Sequence, residues 1–207
     1  MISAVVLAAG RAQRMDEQKL FLPFRDKAVL QWILETALTS RIDEVICVVR
    51  DLAAVRQRIR LAHERLFWLA NYAADRGKST SIIAGLWATN PNTDGTLFLV
   101  GDQPMIRREL IDSLIDHFER TEALIVAPKF ANKVRNPTLF RRDLFPELLK
   151  LTGDRGGQTL LEKYPDKVEF IEWHEEAPFM DIDVREDFEP PEQTRLIGSW
   201  FKVRNPH

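Results

Sequence analysis

The amino-acid sequence predicts an α/β fold, a three-layer sandwich in which helices cover both faces of a mostly parallel sheet. Two observations support this prediction: short apolar runs recur along the chain, and longer stretches of helical periodicity separate them. The chain has 207 residues, of which 45% are hydrophobic, so it is long enough to bury one substantial core. We therefore expect one large domain.

The predicted elements follow in chain order. Strands are predicted over residues 2–7, 44–49, 67–70, 96–100 and 124–127. Helices are predicted over residues 29–38, 77–86 and 110–118, where apolar side chains fall on one stripe. The alternation loosens after residue 135, where we expect a strand over 137–140, helices near 142–150 and 158–163, and a strand over 168–171. Prolines mark the tail, 190–207, which is expected to be loosely ordered or to dock on the body or a partner.

Composition limits the class of protein. A formal net charge of -2 gives no basic surface for nucleic acid, so we expect no nucleic-acid partner. The single cysteine, Cys47, lies in an apolar run and is expected to be buried and unpaired. The amino terminus does not resemble a secretion signal, and no apolar stretch approaches the roughly 20 residues of a membrane span. We expect a cytoplasmic protein without a membrane partner.

Small residues and cations follow the first predicted strand. They are Leu7, Ala8, Ala9, Gly10, Arg11, Arg14 and Lys19. Open α/β sheets bind ligands beyond the carboxyl ends of their strands, and small side chains allow backbone N–H groups to approach phosphate oxygens. Because the cations can neutralise phosphate charge, this loop predicts a phosphate-binding site.

Two common nucleotide motifs are excluded. The dinucleotide fingerprint requires glycines where Ala12 and Met15 stand, and a Walker A loop requires one at Tyr72. Residues 77–81 instead open a predicted helix, with hydroxyls and free N–H groups expected to face a ligand. Plain capping of that helix is the alternative.

Carboxylates indicate a metal site. Asp102 follows the strand over residues 96–100, and Asp181 and Asp183 share one side of a later extended segment. Mg²⁺ commonly takes one or two protein carboxylates together with phosphates and water. We therefore expect Mg²⁺ to be bound by Asp102 and by either Asp181 or Asp183, with Asp183 preferred.

These motifs resemble a known family. The loop at residues 7–19 and Gly101-Asp102-Gln103-Pro104 are similar to the MobA-like NTP transferases. The segments at residues 136–140, 153–157 and 181–183 are similar to their molybdenum-cofactor cytidylyltransferase branch. The resemblance runs to about residue 188 and implies a Rossmann-like fold of the nucleotide-diphospho-sugar transferase type. It implies one domain over 1–189, with a nucleotide-binding part (1–130) and an acceptor-binding part (131–189), before the tail.

The resemblance also implies residue roles. Arg14, Lys19 and Asp102 are implied to be catalytic, and Asp102 and Asp183 to bind Mg²⁺. Residues implied to bind the nucleotide are Leu7, Ala8, Ala9, Gly10, Arg11, Arg14, Lys19, Asn71, Gly77, Ser79 and Ser81. Residues implied to face the acceptor are Asn136, Pro137, Gly153, Asp154, Arg155 and Gly156.

The implied activity is transfer of CMP from CTP to the molybdenum-molybdopterin cofactor, with release of pyrophosphate. One alternative is a relative that uses GTP, or that uses a sugar phosphate or methylerythritol phosphate as acceptor. Another is a non-catalytic carrier that delivers the cofactor to a molybdenum hydroxylase such as xanthine dehydrogenase. The carrier stays an alternative because Asp16 stands where the family usually has glycine.

Overall fold

Residues 1–10 and 19–182 are described by the computed structural model, and they form a central sheet between two layers of helices. The strands are β1 Ile2–Ala8, β2 Pro23–Phe24, β3 Lys27–Ala28, β4 Glu44–Val49, β5 Leu66–Ala70, β6 Gly95–Val100, β7 Ile125–Phe130, β8 Lys133–Val134, β9 Thr138–Arg141 and β10 Val168–Glu172. The α-helices are α1 Val29–Thr39, α2 Leu52–Arg58, α3 Lys78–Trp87, α4 Arg108–Arg120, α5 Phe145–Leu148 and α6 Gln158–Lys163. The predicted α/β fold is confirmed.

The main sheet has the strand order β10-β7-β9-β6-β1-β4-β5, and β8 pairs with β7. β1 is parallel to β4 and β6, β5 is parallel to β4, and β10 is parallel to β7. β9 runs antiparallel to both β6 and β7. Consequently the carboxyl ends of β1, β4 and β6 open at the same edge of the sheet as the amino end of β9.

The two faces of the sheet explain the apolar runs. Ala4 and Val6 of β1 belong to the core that includes α1 and α4, whereas Val5 faces α3. Burial of each large aliphatic side chain contributes about 1.5–3 kcal/mol, so runs of this kind stabilise a strand covered on both sides. On α3, a Cβ at Gly85 would lie 2.3 Å from Val5 Cγ1, so glycine allows α3 to approach β1 closely.

Several boundaries differ from the sequence-based prediction. The helix expected over 142–150 is wrong in length: a 3₁₀ turn, Arg142–Leu144, precedes the single-turn α5. Pro146 lies in the first turn of α5, where its missing N–H is tolerated, but it cannot continue a longer helix through that position. The short α2 was not predicted, and Asp51 caps it by accepting a hydrogen bond from the Ala53 N–H at 2.7 Å. The predicted tail lies outside the described residues.

Cys47 on β4 is fully buried and unpaired, as expected. Burial raises the pKa of the Cys47 thiol because the apolar core disfavours the thiolate. The thiol therefore packs as a small apolar group and is inert as a nucleophile.

Candidate active site

The ends of β1 and β6 form the centre of the candidate site. Leu7 pairs with Val100, and the Gly101 N–H donates a 3.0 Å hydrogen bond to the Leu7 carbonyl oxygen. The backbone pairing therefore continues to the residue before Asp102. It fixes the start of the small-residue loop after β1 beside Asp102. This agrees with the prediction that the carboxyl ends of these two strands lie at one edge of the sheet.

Lys19 and Asp102 form an ion pair at this edge. Lys19 Nζ lies 2.9 Å from Asp102 Oδ2, and the two side chains are 14% and 27% exposed. Lys19 is the first residue of the 3₁₀ turn Lys19–Phe21, and from this position its side chain reaches Asp102. The predicted cation and carboxylate are thus brought together, with part of each side chain still accessible.

A later segment docks against Asp102. The Ile182 N–H donates to the Asp102 carbonyl oxygen at 2.9 Å, and Gln103 Nε2 donates to Asp181 Oδ1 at 2.8 Å. Gln103 Nε2 also donates to the Phe179 carbonyl oxygen at 3.3 Å. The described chain therefore ends beside Asp102, and Asp183 itself lies outside the described residues.

Three cavities surround the ends of β1 and β6, and Leu7 lines all of them. The β4-side cavity, of about 370 Å³, is lined by residues that include Ala8, Gly10, Lys19, Arg50 and Asp102. The α3-side cavity, of about 470 Å³, is lined by residues that include Ala9, Gly10, Gly77, Ser81, Asp102 and Asp154. The β9-side cavity, of about 310 Å³, is lined by residues that include Lys78, Gln103, Arg135, Asn136, Asp154, Gly156 and Asp181.

The loop after β1 borders these cavities as expected: Leu7, Ala8, Ala9 and Gly10 each line at least one of them. Arg11 and Arg14 lie outside the described residues, so no position is assigned to either. The small side chains leave the backbone of the loop close to the cavities, which is the arrangement that phosphate binding requires.

Arg50, directly after β4, lines the β4-side cavity, and no role was predicted for it from the sequence. Its Nη1 lies 2.8 Å from Asp75 Oδ1, and its Nη2 donates to the Ala9 carbonyl oxygen at 3.2 Å. The guanidinium group therefore joins the loop after β1 to the turn that precedes α3. A basic residue directly after a predicted strand was the only available signal.

Two predicted nucleotide contacts do not face the cavities. Asn71 is 4% exposed, and its Nδ2 donates to Thr80 Oγ1 and Ser81 Oγ, each at 2.9 Å. Ser79 is 2% exposed and, like Asn71, lines none of the three cavities. The Asn71 amide holds the first turn of α3, and neither side chain faces the cavities, so a direct contact of these two residues with the nucleotide stays a prediction.

The start of α3 is capped by another part of the chain. The Lys78 N–H donates to Asp154 Oδ1 at 3.2 Å, and the Ser79 N–H donates to the Gly153 carbonyl oxygen at 3.0 Å. The expectation of free N–H groups at these two positions is therefore wrong. Plain capping by the opening residues is not found either, since the N-cap residue Gly77 has no side-chain cap and the acceptors come from residues 153–154. Gly77 has φ of 113°, and a Cβ there would lie 2.3 Å from the Gly153 carbonyl carbon, so glycine is required for this contact.

The predicted acceptor residues divide into two groups. Asn136, Asp154 and Gly156 line the β9-side cavity. Pro137 is buried and Arg155 is exposed, and neither lines that cavity, nor does Gly153. Because Phe98 of β6 pairs with Thr138 of β9, the chain reaches Asn136 at the level where β6 reaches Val100.

The fit of a metal ion depends on the donor chemistry at Asp102. Its carboxylate borders both the β4-side and α3-side cavities, where phosphate oxygens and water can complete a coordination shell. Residues 1–10 and 19–182 contain no cluster of three or more His, Cys, Asp or Glu side chains able to hold a metal alone. The donors present therefore fit a hard cation that is bound together with a phosphate.

A mostly parallel sheet with a small-residue loop, a lysine and a carboxylate at its carboxyl edge defines a nucleotide-binding α/β protein. Residues 4–168 match the model of the MobA-like NTP transferase domain. The chain belongs to this family of nucleotidyltransferases. No helix in the described part of the chain is long and apolar enough to cross a membrane.

Individual relatives agree with the family. The chain is 29% identical over 165 residues to the purine catabolism protein PucB of Bacillus subtilis, covering 76% of this chain and 79% of that protein. It is 28% identical to a probable molybdenum cofactor guanylyltransferase of Methanosarcina mazei, covering 77% and 71%. The crystal structure of Rv0371c from Mycobacterium tuberculosis superposes with a TM-score of 0.78 at 28% identity, covering 95% and 97%. A manganese complex of Rv0371c superposes with a TM-score of 0.73, at 28% identity and with 96% and 98% covered.

Proposed function

We propose that this nucleotidyltransferase moves CMP from CTP to the terminal phosphate of a molybdenum-bearing pterin. The acceptor phosphate oxygen attacks the α-phosphorus, a new P–O bond forms, and the bond to pyrophosphate breaks. Two observations carry the proposal: the Lys19–Asp102 pair lines the β4-side cavity together with the small-residue loop, and the β9-side cavity shares Leu7 with it. The relative named as a molybdenum cofactor guanylyltransferase supports the acceptor.

The residues of this chain would act by positioning and by charge. The backbone of Ala8 to Gly10 is accessible to phosphate oxygens, and Lys19 offsets negative charge on the triphosphate, with Arg14 proposed beside it. Asn136 and Gly156 border the cavity assigned to the acceptor. We assign no protein nucleophile, because direct attack by the acceptor phosphate requires none.

Asp102, with Asp183 proposed as its partner, would hold a divalent cation such as Mg²⁺. When bound, that ion offsets the charge of the reacting phosphates. Two observations support this assignment: Ile182 is hydrogen bonded to the Asp102 backbone, and the similar Rv0371c structure was determined with manganese.

GTP is the alternative nucleotide, and the guanylyltransferase name of the M. mazei relative favours it. The deciding experiment measures Mg²⁺-dependent pyrophosphate release with CTP and with GTP, each with and without molybdenum-loaded molybdopterin. Acceptor-dependent release with CTP alone is the expected result. Release with GTP alone would assign the protein to the guanylyl branch, and release with neither, despite tight binding of the cofactor, would favour a carrier.

A further inference from the structure

Arg135 connects β8 to β9 and lines the β9-side cavity. Its backbone N–H donates a 2.9 Å hydrogen bond to the carbonyl oxygen of Pro128, on the neighbouring strand β7. The position of the residue at the cavity is therefore fixed by the sheet. No role was predicted for Arg135 from the sequence.

The Arg135 guanidinium has a buried donor that the protein does not use. Its Nε has no hydrogen-bond partner among the residues that the structure describes. Arg141, on the following strand, is an arginine whose guanidinium is bound within the protein. Its Nε donates to the Ala123 carbonyl oxygen at 2.8 Å, and its Nη2 donates to the Phe118 carbonyl oxygen at 3.0 Å. The Nε of Arg50 is also buried without a partner, but Arg50 donates from both of its other guanidinium nitrogens, whereas no hydrogen bond from the Arg135 guanidinium is found within residues 1–10 and 19–182. Because an unsatisfied buried donor destabilises a fold, the Arg135 guanidinium, which borders the cavity, suits a ligand oxygen.

The carboxylates of the same cavity are already engaged. Asp154 accepts a hydrogen bond from the Lys78 N–H at 3.2 Å, and Asp181 accepts one from Gln103 Nε2 at 2.8 Å. Lys78 adds a second basic residue to the lining. Two basic residues, one with an unused buried donor, are the chemistry that binds a phosphate group.

We propose that Arg135 binds the phosphate group of the acceptor, an inference that rests on the proposed function. The β9-side cavity shares Leu7 and Val100 with the α3-side cavity, so a phosphate held by Arg135 lies next to the assigned nucleotide site. The planar guanidinium fork can hold two phosphate oxygens while a third remains available for attack. Arg135 is thus a substrate-binding residue that distinguishes phosphorylated acceptors from their dephosphorylated forms.

The test measures equilibrium binding of molybdopterin and of dephosphorylated molybdopterin by calorimetry. It compares the wild-type protein with Arg135→Met, Arg135→Lys and the control Lys133→Met. Lys133 belongs to the same hairpin and is exposed, but it does not line the cavity. Loss of the phosphate should weaken wild-type and Lys133→Met binding by about tenfold or more, the scale of a charge-assisted contact. Arg135→Met should bind both forms with the same weak affinity, and Arg135→Lys should recover part of the preference.

Failure of this inference is distinguishable from failure of the proposed function. If Arg135→Met keeps the wild-type preference for the phosphorylated form, or weakens both forms equally, the role of Arg135 is overturned. The same pair of measurements is made with methylerythritol phosphate and a sugar 1-phosphate. Wild-type binding of one of these instead of the pterin would overturn the proposed acceptor, and the preference of Arg135→Met for that ester would then decide the role of Arg135. If the wild-type protein binds none of the three, both proposals fail.

Discussion

The basic side chains that line the β4-side and β9-side cavities differ in their contacts within the protein. In the β4-side cavity, Lys19 pairs with Asp102, and Arg50 pairs with Asp75 and the Ala9 carbonyl oxygen. In the β9-side cavity, the Nε of Arg135 has no partner within the described residues. The Nε of Arg50 also lacks a partner there, so the two cavities differ in the Nη contacts of Arg50 and in the ion pair of Lys19, and not in the Nε atoms.

The backbone elements that surround the two cavities also differ. The β4-side cavity lies at the ends of parallel strands that are buried in a continuous core. The β9-side cavity depends on an antiparallel strand, the single-turn α5 and the loop that contacts Gly77. With the β4-side cavity proposed for the nucleotide and the β9-side cavity for the acceptor, we expect substitutions to have separable effects, ordered below from the largest to the smallest.

Asp102→Asn tests the carboxylate that borders the β4-side and α3-side cavities. We expect turnover to fall about 10²–10³-fold, because the substitution removes the charge that would hold the cation while preserving side-chain shape. Pyrophosphate release at saturating substrates measures the effect. Asp166→Asn is the matched control, since Asp166 precedes β10 at the opposite edge of the sheet. Near wild-type turnover of Asp102→Asn would contradict the assignment of Asp102.

Gly77→Ala tests whether the two sides are mechanically linked. A Cβ at 2.3 Å from the Gly153 carbonyl carbon must displace the loop that caps α3, so we expect a loss of about 1–3 kcal/mol in the free energy of unfolding. The KM for the acceptor should rise more than the KM for the nucleotide. Urea unfolding and steady-state kinetics measure both. Gly156→Ala is the control for stability only, because a Cβ at Gly156 meets no atom within 4 Å but the residue lines the β9-side cavity. Equal stability of the two variants would refute the close contact.

Arg50→Met addresses the nucleotide side alone. Losing the contacts to Asp75 and the Ala9 carbonyl oxygen should loosen the loop after β1 and raise the KM for the nucleotide about tenfold, at the scale of one charge-assisted interaction. The KM for the acceptor should change little. Arg56→Met, an exposed substitution on α2, is the control. A larger effect on the acceptor than on the nucleotide would break the comparison between the cavities.

Glu147→Gln, a substitution on α5 beside the proposed acceptor side, is expected to have the smallest effect, a small change in Tm. Hydrogen bonds from Lys163 and Tyr164 lower the pKa of the Glu147 carboxyl. A lowered carboxyl pKa stabilises the fold above the unfolded-state pKa, and this contribution is lost as the pH falls through the folded-state pKa. The Tm of Glu147→Gln should therefore be slightly below that of the wild-type protein near neutral pH, and the difference should vanish in acid. A difference that persists in acid would show that the ion pair is not its cause.

The central strands were predictable because parallel strands covered on both faces appear as continuous apolar runs. The meeting of the β1 loop with Asp102 was also predictable, since carboxyl ends of parallel strands share one edge. The helix expected over 142–150 was overextended because the apolar spacing was followed through Pro146, which a longer helix cannot include at that position. The seven-residue α2 is mostly exposed, so it carries little periodic signal.

The sequence did not reveal the surroundings of four polar residues near the site. Asn71 and Ser79 are polar residues near the site, yet contacts within the folded chain already occupy the Asn71 side chain and the Ser79 N–H. Arg50 and Arg135 look like ordinary surface cations in the sequence, because their neighbours come from distant segments. Hydrogen-bond satisfaction is a property of the folded chain, so a one-dimensional pattern does not reveal it.

The reversed direction of β9 has a consequence for how this fold can diversify. Leu139 is buried and lies opposite Leu97 on one side and Val126 on the other, so both flanking strands fix its register. The hairpin before it, residues 131–137, begins and ends on paired strands. Because Val134, Arg135 and Asn136 of that hairpin line the β9-side cavity, changes in its length would alter the cavity while the strands on both sides of β9 keep their register.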